Sequence, residues 1–98
     1  MGIGLTYVPK YALQRVRERW PSAATIPQVQ LLSRIAAAID AANADNEVIV
    51  APGGSYIPFS YNGEEGFLVL KKKSVVTAMR TEWCPEVTSI LEKKRKNG

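Results

Sequence analysis

The chain has 98 residues, 46% of them apolar and 22% charged, which fits one globular domain and no second one. A single cysteine, Cys84, and no histidine exclude an internal disulfide, a Cys-rich zinc site, an imidazole base and every His-based triad. The net charge of +4 resides in Lys93–Lys96, so the remaining basic residues only balance the nine Asp and Glu, and a uniformly basic nucleic-acid binder is not what the composition shows.

Met1–Pro9 has no basic stretch followed by a long apolar run, and the longest apolar stretches, Ile35–Ile39 and Val48–Ala51, fall well short of the ~20 residues of a spanning helix. No membrane association and a cytoplasmic location are the expectation. Leu5–Val8 reads as a short strand ending at Pro9. From Lys10 to Trp20, Leu13, Val16 and Trp20 fall on one face of a first helix, which Pro21 stops. The second helix spans 26–43. Thr25 and Gln28 fit a capping box, Pro27 suits the first turn, and Leu32, Ile35, Ala36, Ile39 and Ala42 form a stripe toward the core.

The period then changes. Glu47–Ala51, Ser55–Tyr61, Gly66–Lys71 and Ser74–Thr81 are β-branched or aromatic runs of strand length, with Val69 and Val76 expected on central strands. Pro52-Gly53-Gly54, Asn62-Gly63 and the Lys72-Lys73 tip separate them as antiparallel reversals. Pro58 places its strand at an edge or a bulge, and Val75, Thr77 and Met79 alternate with Val76, Ala78 and Arg80 on the last strand. Pro85 opens a short C-terminal helix with Val87, Ile90 and Leu91 as its apolar face, and Lys93–Gly98 is a basic, fraying tail. The expected architecture is α+β: one domain over 1–92, two N-terminal helices packed on one face of an antiparallel β-meander, a short C-terminal helix and the tail 93–98.

Few residues carry chemistry. Pro52-Gly53-Gly54-Ser55 has no P-loop lysine and opens no helix, so it is a turn. Glu64-Glu65 reads as a solvated hairpin tip, Cys84 as a packed thiol without a histidine partner, and Trp20 and Trp83 as packing residues. Lys71, Lys72 and Lys73 can neutralise phosphates, with Tyr56, Phe59 and Tyr61 next to them as stacking surfaces; a charged tip that blocks edge pairing is the plainer use of the same lysines. Arg15 and Arg80 converge if the first helix packs across the sheet. Guanidinium groups there suit the charge of a phosphoryl transition state, and a tyrosine hydroxyl can carry a proton.

The order of elements, together with Tyr11-Ala12-Leu13-Gln14-Arg15, Glu18-Arg19 and Val75-Val76-Thr77-Ala78, resembles small phage- and toxin-related domains of the barnase/RelE/colicin-type ribonuclease fold over residues 7–82. Those domains begin with His-Ala-x-x-Arg on the first helix and carry a Val-Thr pair on the last strand. Tyr11 and Arg15 match the helix motif and Thr77 the strand motif, while Tyr11 stands where the family has its histidine. Arg80 and Lys71 join by position.

Two readings stay open. In the first, a RelE-like, toxin-like domain of a mobile element binds RNA, free or on the ribosome, and extends to metal-independent cleavage. The ribose 2′-OH attacks the adjacent phosphate while Tyr11 assists proton transfer and Arg15 and Arg80 stabilise charge. Lys71, Lys72, Lys73, Tyr61 and Thr77 then contact nucleic acid, with no metal or cofactor and with an antitoxin as protein partner. In the second, the chain is a non-catalytic phage accessory or inhibitor protein that binds a host protein.

Overall fold

Pro9 has no N–H to donate, and its carbonyl accepts the first helical N–H groups, from Ala12 at 3.0 Å and Leu13 at 3.1 Å. In this computed structural model, which describes residues 7–97, helix α1 runs Lys10–Arg19 and buries Ala12, Leu13 and Val16, with Trp20 fully buried just beyond it. A 3-10 turn at Pro21–Ala23 follows, its carbonyls held by Arg17 Nη1, which donates to Ala23 O at 3.1 Å and Ala24 O at 2.9 Å.

Helix α2 spans Gln28–Ala44. The expected capping box is absent: Pro27 is the N-cap, no side chain caps it, and its carbonyl accepts the Leu31 N–H at 3.1 Å. The buried stripe is Leu31, Ile35, Ile39 and Ala42, whereas Leu32 is half-buried and Ala36 exposed. The true stripe runs at i, i+4, i+8, i+11, one position round from the expected one at its N-terminal end.

Asn46 adopts φ 56°, and the Glu47 N–H returns to Ala42 O at 2.8 Å, a Schellman ending that ties residues 45–47 to the helix. Strand β1 therefore starts only at Ile49 and ends at Ala51. β2 (Gly54–Tyr61), β3 (Glu64–Lys71) and β4 (Ser74–Arg80) complete an antiparallel sheet in the order β1-β2-β3-β4, as the strand runs and turns of the sequence predict. Val69 lies on a central strand, but Val76 lies on β4, at the sheet's edge. The strand expected at Leu5–Val8 begins outside the described residues; Tyr7 forms a parallel bridge to Ser74.

Pro58 is legible once β1 is measured. β1 pairs only with Gly54–Tyr56, so the rest of β2 is an edge although β2 is second in the sheet. On β4 the register slips between Val69–Thr77 and Leu70–Val75, leaving Val76 as an extra, bulged residue. Strict alternation is thereby broken: Val75 and Ala78, three apart, both reach the core on the α1–α2 face.

Pro85 opens α3, which runs to Asn97 and covers the opposite face of the sheet, where Val87 and Leu91 pack with Ile49, Phe67 and Cys84. Helices thus cover both faces, not one. The expected tail is helical through Lys93–Lys96, because Arg95 Nε meets Glu47 Oε2 at 2.9 Å and basic residues favour a helix C-terminus. The Arg95 guanidinium is pushed above its ordinary pKa by that hydrogen bond to Glu47. Among the described residues no helix is long and apolar enough to cross a membrane.

Cys84 is buried in the α3-side core, and burial raises its thiol pKa, so thiolate is scarce near neutrality. Ellman's reagent should therefore label the folded protein much more slowly than the urea-unfolded chain at pH 7.5. Equal rates would mean that α3 opens readily.

Candidate nucleic-acid interface

The short β3–β4 connection puts Lys72 and Lys73 at its two turn positions, with φ 49° and 66°. The left-handed region at both positions is that of the type I′ turn, whose twist matches that of its flanking strands. The Tyr7 N–H donates to Lys73 O at 2.9 Å and the Val75 N–H to Tyr7 O at 2.9 Å, which fixes Tyr7 beside this tip. Lys10 and Tyr11 follow within four residues at the start of α1. This end of the molecule therefore presents Lys10, Lys71, Lys72 and Lys73, all exposed, together with Tyr7 at 68% and Tyr11 at 55% exposure. Among the described residues none of these lysines lies within ion-pair distance of a carboxylate. Exposed cations around exposed rings suit a flexible, polyanionic strand, with phosphates on the ammonium groups and bases on the rings.

Sequence reasoning found the three consecutive lysines and Tyr11 but missed Tyr7 and Lys10. The signal for Lys72 and Lys73 was available, because two residues between long strands demand a turn with φ above zero. Tyr7 depends on a bridge to Ser74, a contact across the whole chain that no local pattern encodes.

The remaining candidates lie elsewhere. Arg80 Nη1 donates to Arg19 O at 2.8 Å and to Glu64 Oε2 at 3.0 Å, and its Nε lies 3.6 Å from Glu82 Oε1. Its guanidinium sits over Trp20, 5.8 Å from the ring centroid, and the side chain is only 22% exposed. Arg80 is a clamp that fastens the C-terminal end of α1 to the sheet. Tyr11 is eight residues upstream of Arg19, about 12 Å along the helix axis. Arg15 points to solvent and pairs with Glu18 at 3.4 Å. The structure does not bring Tyr11, Arg15 and Arg80 to one point.

Tyr61 ends β2 opposite Glu64, at the far end of β3 from Lys71, and is half-buried against the core with the Arg34 guanidinium over its ring at 4.7 Å. Seven residues of strand, about 23 Å, separate it from the lysine tip. Thr77 is half-buried opposite Val69, on the α3 face. Phe59 is core and Tyr56 packs edge-on against Phe67 at 6.1 Å, so neither offers the stacking surface expected of it. Among the described residues no three His, Cys, Asp or Glu side chains gather as a metal ion would require. In comparisons with known proteins, no family model, curated protein or solved structure matches the chain.

Proposed function

We propose that this domain binds RNA, and does not cleave it, at the end formed by Tyr7, Lys10, Tyr11 and Lys71–Lys73. Phosphates meet the four ammonium groups, and unpaired bases stack on the two rings. One observation carries this reading: lysine occupies both left-handed positions of the β3–β4 turn. Of the sheet's two other two-residue turns, Pro52–Gly53 puts glycine at its positive φ of 102°, and Asn62–Gly63, at φ 54° and 84°, uses the residue pair such turns prefer. A tip that had only to reverse the chain gains nothing from lysine there. Backbone strain retained at an exposed, cationic tip supports a use for its charge. The separation of Arg80 from Tyr11 favours binding over cleavage.

Fluorescence anisotropy with a labelled single-stranded RNA of about a dozen nucleotides tests this, a length within the reach of small single-strand binders. With four phosphate contacts, log Kd should rise with log salt at a slope of about 2.8, from ~0.7 per contact on a single strand. The RNA should be recovered intact after long incubation at pH 6–9. Absence of binding at low salt would sink the proposal. Cleavage fragments with 2′,3′-cyclic phosphate ends would replace it with the nuclease reading.

A further inference from the structure

β1 and the rest of β2 differ in length by design of the α2 ending. The Schellman turn at Asn46 holds residues 45–47 on α2, so β2 has no neighbour on that side from Ile57 to Tyr61. Those five residues span about 16 Å of strand edge. A two-residue turn closes on a bonded pair, here Tyr61 and Glu64, so Phe59 and Ile57 bond β3 while Pro58 and Ser60 face outward. The missing N–H of Pro58 thus falls on the free side, and the Ser60 N–H and the carbonyls of both residues are open. Among the described residues no hydrogen bond from another element reaches this edge.

The edge is the floor of a groove of about 370 Å³. Ala37 and Ala41 of α2 form one wall and Leu91 of α3 the other, and the small alanine side chains leave room for a backbone. The Glu47–Arg95 ion pair stands at the β1 end. At the other end the Arg34 guanidinium lies over the Tyr61 ring, its carbon 4.7 Å from the ring centroid. Among the described residues the Arg34 N–H groups donate no hydrogen bond to another protein group. Among the described residues no carboxylate lies within ion-pair distance of Arg34.

We infer that this groove takes an extended segment of a partner protein as an added strand on β2, with an acidic side chain of that segment held by Arg34. Main-chain bonds to Ser60 and Pro58 give the affinity, and the Arg34 fork selects the charge. This site is on a different edge of the sheet from the lysine tip on β4 and does not depend on the RNA reading.

The probes are two sets of acetylated, amidated pentapeptides that alternate Val and Thr, one set with a single Glu at each position in turn and the other with a single Lys. Amide hydrogen exchange of Ser60, read by NMR, reports strand addition directly. The Glu set should slow Ser60 exchange, and the Lys set should do so at least several times less. Arg34→Gln should weaken the Glu set about two- to fivefold, the range of an exposed ion pair. Ala37→Gln with Ala41→Gln, both on the exposed side of a helix that glutamine suits, should fill the groove and abolish the effect. Unchanged Ser60 exchange with every Glu peptide overturns the inference, as do equal effects of both sets. Self-association that slows Ser60 exchange without peptide would assign the edge to a second copy and overturn it too.

Discussion

Replacing Lys72 by Asn and Lys73 by Gly should raise the melting temperature and lower the affinity for RNA. Both lysines lie in the left-handed region, at φ 49° and 66°, where a Cβ crowds the following carbonyl. Asn tolerates that region and Gly adopts it freely, although Gly gives back part of the gain through a more flexible unfolded chain. A net gain of about 1 kcal/mol is expected, or roughly 4–8 °C for a domain of this size. Neither side chain is buried, so no packing is lost. Affinity responds in the opposite direction: two phosphate contacts disappear, and the salt slope should fall by about 1.4. Lys71 is in regular strand, so Lys71→Gln should reduce the slope by about half as much and leave the melting temperature unchanged. A more stable variant that binds RNA as well as the parent would show that the tip makes no contact. A less stable variant would show that the turn carries no strain, and the main support for the RNA proposal would go with it.

The opposite signs matter because most surface substitutions that weaken binding either leave stability alone or reduce it. A gain in stability coupled to a loss of binding separates a functional tip from a merely tolerated one. Natural proteins retain such strain where activity uses it.

Elements with a strong local period were legible in the sequence. Leu13, Val16 and Trp20 marked the face of α1, and the strand runs were bounded by Pro52-Gly53-Gly54 and Asn62-Gly63, whose glycines are the compositional mark of turns with φ above zero, and by the charged Lys72-Lys73 tip. What failed was set by contacts across the chain. α3 extends through Lys93–Lys96 because Arg95 finds Glu47, which stands 48 residues earlier. The bulge at Val76 follows from packing Val75 and Ala78 against the same helices, and no residue at that position announces it. Arg80 was legible as an unusual cation on a strand, yet its partners Glu64 and the Arg19 carbonyl decide that it clamps the fold rather than meeting Tyr11. The lysine tip was legible as charge. Its strain, and Tyr7 beside it, required the register of β4 and the bridge at Ser74.

Gly66→Ala should be strongly destabilising. A Cβ at Gly66 would lie 2.4 Å from the Met79 carbonyl oxygen and 2.5 and 2.7 Å from two carbons of the Trp20 ring. The carbonyl belongs to β4, which pairs with β3, so backbone cannot yield without opening the sheet. The indole cannot yield either. It is fully buried, its Nε1 donates to Glu64 O at 3.0 Å, and its ring meets Phe59 edge-on at 5.1 Å. Overpacking against two rigid neighbours should cost about 3 kcal/mol or more, a large share of the stability of a small domain. Urea unfolding gives the single cost, and Trp20→Leu supplies the second arm of a double-mutant cycle. Trp20→Leu alone should also destabilise, since it removes the Glu64 bond and leaves a cavity. The double variant should be less destabilised than the sum, by more than about 1 kcal/mol, because the smaller side chain vacates the space the new methyl needs. Additive costs would mean that the close approach of Gly66 and Trp20 is not what constrains the position. Six residues of β4, about 20 Å, separate Arg80 and this tryptophan slot from Ser74 and the lysine tip. The folded fraction of the double variant should therefore bind RNA with the parent's salt slope, and a changed slope would place the nucleic-acid contacts at the tryptophan end instead.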